Sequence, residues 1–136
     1  MTPSFVDKLR NTEFPTLETR LEHMDWLGID RALVWDVAAR QQGSSAMNQR
    51  LLDVIDATPG APGRIVPALF VSGLMAYERD GIKKLDDHLS RSGARALRFN
   101  SVLNGLTLCE LEPVIEGVRH HKPFIVMNQG DGDVQD

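Results

Sequence analysis

Runs that read as buried strands begin near residues 31, 64, 94 and 123, so a new one starts about every 30 residues, and an amphipathic helical stretch precedes each. That spacing constrains the chain more than any other feature. About 30 residues is the length of one strand plus its crossover helix, and strands joined by such crossovers run parallel in a sheet covered by helices.

The local signals agree with the period. Leu17, Leu21, Met24 and Leu27 recur at intervals of four and three from Thr16, which can cap the helix they form. Gly28 ends it as a residue tolerant of positive φ, with Ile29 folding back before the strand 32–38. A helix over 46–57 presents Met47, Leu51, Val54 and Ile55 on one face, and TPGAPG breaks it. There follow a strand over 64–71, a helix near 77–91, a strand over 94–100, a helix near 107–120 and a strand over 123–128. Pro67 cannot donate to a ladder, which predicts an irregularity there or an unpaired side.

The 136 residues, 42% hydrophobic and 25% charged, suffice for one core and one domain. A net charge of −4 with scattered Lys and Arg gives no phosphate-binding stripe, so nucleic acid is not an expected partner. No apolar run approaches the roughly 20 residues that cross a bilayer, and residues 1–11 lack the apolar core of a signal peptide, which points to a cytoplasmic protein with no membrane partner. The single cysteine, Cys109, reads as a small packed hydrophobe.

Eight strand–helix units would need about 250 residues. Four are visible, and the sequence stops shortly after the last strand. The reading is an α/β fold that is a partial (β/α)8 TIM-type barrel, with about four parallel strands and covering helices. Residues 1–15 form an N-terminal extension, 16–128 the barrel part and 129–136 a flexible acidic tail whose spacing does not fit an EF-hand. A doubly wound sheet of flavodoxin type is the alternative, and a non-sequential strand order would select it.

Three stretches carry a family resemblance. HMDWLGIDRALVW, NQRLLDVIDATPGAPGRIVPALFVS, and SGARALRFN followed by LEPVIEGVRHHKPFIVMNQGD together resemble strands two to five of the amidohydrolase-related, metal-dependent hydrolases and the helices between them. The resemblance spans roughly residues 17 to 130. It implies a barrel with metal ligands at the C-terminal strand ends and hydrolysis of a C–N or related bond by a metal-activated water. The sequence departs from that pattern at its ligands. It has no His-x-His, Arg98 stands where the strand-four Lys is expected, and the strand-five His position falls on or beside Asn128. An arginine stays protonated and cannot become a carbamate bridge. The resemblance therefore implies a catalytically incomplete hydrolase domain, or a non-catalytic binding or scaffold domain derived from the same barrel. A divalent metal enters only through the resemblance, and no cofactor is expected on this chain.

Alternation along ARALRFN puts Ala96, Arg98 and Asn100 on one face, with Asp36 sharing the interior with Val34. Asp36, Arg98, Asn100 and Asn128 can then converge at the barrel mouth as candidate ligand-binding residues. They would hold a small anionic or carbonyl ligand, unless Asp36 and Arg98 neutralise one another as a structural pair. His23, His88, His120 and His121 read as solvated or structural, the last two at the end opposite to the chemistry. The outer strands are apolar and free of Lys, an invitation to self-association.

Overall fold

The computed structural model describes residues 16–35, 45–99 and 108–127. Helix α1 (Leu17–Leu27) opens at Thr16, whose hydroxyl accepts from the Thr19 N–H at 3.3 Å and so satisfies one of the donors that a first turn leaves without a partner. It closes at Gly28, which has φ of 72°. The Gly28 N–H bonds the Asp25 carbonyl at 3.3 Å and the Ile29 N–H bonds that of Met24 at 2.8 Å, a Schellman ending as the sequence predicts. Arg64 fixes the turn that follows. Its guanidinium meets the Asp25 carboxylate at 2.6 Å and the carbonyls of Ile29 and Asp30 at 2.9 and 3.0 Å.

Strands β1 (Ala32–Val34), β2 (Ile65–Phe70), β3 (Ala96–Phe99) and β4 (Phe124–Met127) are all parallel and lie in the order β1-β2-β3-β4. Sequential order separates this half-barrel from the doubly wound alternative. Helices α2 (Ser45–Ala57), α3 (Gly81–Ser92) and α4 (Leu108–Val118) flank it, and the core lies between them and the sheet, around Leu51, Leu69, Leu85, Leu97, Phe99 and Val114.

Helix α3 begins at Gly81, four residues later than the periodicity suggests. Residues 77–80 form turns after a 3-10 segment (Gly73–Ala76) capped by Ser72, Asp80 has φ of 55°, and a Cβ at Gly81 would run into the Met75 carbonyl. Helices α3 and α4 also meet closely through a glycine, because a Cβ at Gly117 would collide with Cγ2 of Ile82.

The register sorts the sheet residues into two faces. Ala68 pairs with Ala96, Phe70 with Arg98 and Val34 with Pro67. Leu33, Trp35, Ala68, Phe70, Ala96 and Arg98 therefore share the inner face. Val34 packs with Ala32 and Ile125 against the helix-side core, which corrects its expected place in the interior. Being one residue from Trp35, it takes the opposite side of the pleat.

Pro67 sits where β2 changes partners. β1 pairs with Ile65, Val66 and Pro67, and β3 with Ala68, Leu69 and Phe70. The Ala32 N–H bonds the Arg64 carbonyl, and the Val71 N–H bonds that of Arg98. Even-numbered residues thus address β1 and odd-numbered ones β3. The nitrogen of Pro67 faces β3 one residue before that ladder begins, so its missing N–H leaves no acceptor waiting, the unpaired-side form of the predicted irregularity.

Candidate functional site

Chemistry in parallel barrels is carried at the C-terminal ends of the strands, and there β1 and β3 bring Trp35 and Arg98 together across β2. The guanidinium carbon of Arg98 lies 4.2 Å from the centroid of the Trp35 ring. Arg98 is only 6% exposed, flanked in the register by Phe70 and Val126. A guanidinium stacked on indole loses less hydration than an ammonium would and keeps its edge donors in a fixed plane.

Asn48, one turn into α2 and fully buried, braces this end of β2. Its Nδ2 donates to the Phe70 carbonyl at 2.9 Å, and the Phe70 N–H donates to its Oδ1 at 2.7 Å. At the start of the same helix the Ser45 N–H and Oγ both donate to Glu78 Oε2, at 3.3 and 2.9 Å. Of the four residues expected to converge, Arg98 is held here. Asp36, Asn100 and Asn128 lie outside the described residues.

The described donors at this end do not fit the divalent metal implied by the family resemblance. Among the described residues, the one charged side chain on the inner face is a buried guanidinium, which has no lone pair to give and places a positive charge where a cation would sit.

At the other end two histidines meet a common partner. After α4 a 3-10 turn (Arg119–His121) closes on Lys122, at φ of 52°, and presents two adjacent imidazoles to α3. His120 Nε2 lies 2.8 Å and His121 Nε2 2.6 Å from the same oxygen, Oδ1 of Asp86, and the rings are 4.3 Å apart. The hydrogen bond from His121, with the nearby imidazoles adding to it, holds the Asp86 carboxyl below its usual range. A cleft of about 440 Å³ opens beside the pair, lined in part by Arg95, His120, His121 and Lys122. A signal for this meeting was present in the sequence, because Asp86 and His121 are 35 residues apart, close to one repeat, and neighbouring helices of a repeating fold bring such positions side by side.

His23 is buried on α1. His88 is buried too, its Nε2–H donating to Gln49 Oε1 at 3.0 Å, and Gln49 in turn donates to Asp53 at 2.8 Å. Arg91 bridges Asp53 and Asp56 at 3.0 and 2.6 Å, which completes a polar seam between α2 and α3. Cys109 is exposed on α4, not packed as expected.

The chain matches no family model, no curated protein and no solved structure.

Proposed function

We propose that this chain is an amidohydrolase-like part of a TIM-type barrel, catalytically incomplete in its metal ligands, that binds a small anionic or carbonyl-bearing molecule at the C-terminal ends of its strands. The observation that carries the reading is the buried guanidinium of Arg98, held over the ring of Trp35 on the inner face. A cation kept at a strand end and oriented by an aromatic ring is suited to grip a carboxylate or phosphate through two parallel N–H donors. Asn100 and Asn128, two residues beyond the paired Arg98 and Val126, would add two amides to select among such ligands. The sequential parallel sheet supports the barrel ancestry, and the arginine at the position of the strand-four lysine favours binding over metal-assisted hydrolysis.

Titration calorimetry of the full chain with acetate, malonate and inorganic phosphate tests this against Arg98→Met. One of the three anions should saturate a single site, and the variant should bind it at least about tenfold more weakly, as loss of a charge-assisted pair requires. Equal binding by both proteins, or no saturation by any of the anions, would remove the reading. An ester-hydrolysis assay with added zinc or manganese should show no turnover that depends on Arg98.

A further inference from the structure

We infer that Asp86, His120 and His121 form a binding site for a divalent transition metal ion on the surface of the half-barrel, at the N-terminal end of its strands. The site lies at the opposite end from Arg98 and does not rest on the function proposed above. Three potential ligand atoms, one carboxylate oxygen and two imidazole nitrogens, lie within 4.8 Å of one another. They come from two helical elements, α3 and the turn after α4, so folding assembles the set. Two imidazoles and one carboxylate match the preferences of zinc, copper and nickel, and are poorly suited to magnesium or calcium, which take oxygen ligands.

The geometry is close to what an ion needs. Nitrogen and oxygen ligands lie about 2.0–2.2 Å from zinc, which puts neighbouring ligand atoms of a tetrahedron about 3.3 Å apart. Asp86 Oδ1 is now 2.8 and 2.6 Å from the two nitrogens, held there by protons that an ion would replace. Spreading them by about half an ångström needs only side-chain rotation. The side chains of His120 and Asp86 are 63% and 34% exposed and have room for it. Each imidazole would then carry its proton on Nδ1, leaving Nε2 free to bind, and the cleft beside the pair admits the ion and the waters that complete its shell.

The close contact of α3 with α4 is what makes this reach possible. Because Gly117 has no Cβ to strike Ile82, α4 lies low on α3, and the turn that begins two residues later falls beside Asp86. A bulkier residue there would lift both histidines away together.

Zinc is the probe. The full chain, stripped with chelator and dialysed, is titrated with zinc against a chromophoric competitor beside His120→Ala, His121→Ala, Asp86→Asn and the control His88→Gln. One equivalent should bind, at least about tenfold more weakly in each of the three site variants and unchanged in the control. Failure to compete at about 100 µM zinc, or binding that survives all three substitutions, would overturn the assignment. Should a variant not fold, imidazole nitrogen resonances of the wild-type chain decide. Zinc-induced shifts confined to His120 and His121 support the site, and shifts at His23 or His88 instead refute it.

Discussion

Asn48 meets the main chain of Phe70 at both its donor and its acceptor, with 2.9 and 2.7 Å between the bonded atoms. A side-chain amide carries the same pair of groups as a peptide unit. Asn48 therefore serves β2 as one residue of a neighbouring strand, three positions beyond the last pair that β1 makes with it. The contact also fixes α2 to the strand end where Arg98 lies.

Replacing Asn48 by Ala should cost the fold about 2–4 kcal/mol, since it leaves a buried N–H and a buried C=O of Phe70 without partners. Urea unfolding followed by circular dichroism measures this. A loss below about 0.5 kcal/mol, typical of a surface substitution, would show that the amide is dispensable.

Gly117→Ala should destabilise the chain by about 1–3 kcal/mol through overpacking against Ile82, although alanine favours a helix by up to about 1 kcal/mol over glycine. In an Ile82→Ala background the same change should be neutral or stabilising. A double-mutant cycle from denaturant midpoints gives the coupling, and simple additivity of the two changes would contradict the close helix contact.

Burial, followed by the charge of Arg91, holds the imidazole of His88 below its ordinary value of 6.5. Above that value the ring is neutral in both folded and unfolded chains and adds no pH dependence. As the pH falls below it, the unfolded chain takes up a proton that the folded chain refuses, so stability declines until the folded imidazole also titrates. Nδ1 of His88 has no protein partner among the described residues, so a proton there would gain no acceptor. His88→Gln should flatten this decline in urea midpoints measured from pH about 7 to about 5, whereas the carboxyl of Asp86, also depressed, acts in a separate and more acid window. Parallel wild-type and variant curves across that range would show that His88 is not the group responsible.

On the inner face and at the outer strands, Leu33, Trp35 and Phe124 are 38%, 38% and 55% exposed, and Met127 is 46% exposed. Apolar surface of this kind beside strand edges that no described residue pairs favours association of two copies. Sedimentation velocity at micromolar to tens of micromolar concentration should show mass rising with concentration, and Phe124→Lys should suppress it. A monodisperse monomer throughout that range would show that the sheet edges are protected.

Much of the fold was legible because it depends on local signals repeated at a fixed period. Thr16 and Gly28 announced the ends of α1 through their cap chemistry, and the spacing of the strands implied a parallel, sequential sheet. The facing of β1 was not legible. Val34 and Leu33 are both apolar, and only the cross-strand register decides which of them meets the helices. The start of α3 was missed because residues 77–80, which read as the first turn of the helix, form separate turns in which Asp80 takes a left-handed φ of 55° just before Gly81. At the candidate sites, Arg98 could be assigned to an interior face from strand alternation alone. The convergence of His120 and His121 on Asp86 depends on how closely α4 approaches α3, which a single glycine controls and which helical periodicity does not report.

Pro67 has a consequence for alternative structures as well as for the native one. If β3 slid two residues toward the start of β2, keeping every side chain on its proper face, residue 67 would have to supply an N–H to the new ladder. It has none to supply. The even-numbered shift that the alternation of side chains cannot forbid is thus blocked by the backbone of one residue. The same position costs the native ladder nothing, because β3 begins one residue further on. Pro67 acts as a stop that fixes how far Arg98 extends along the sheet, and hence its height against Trp35.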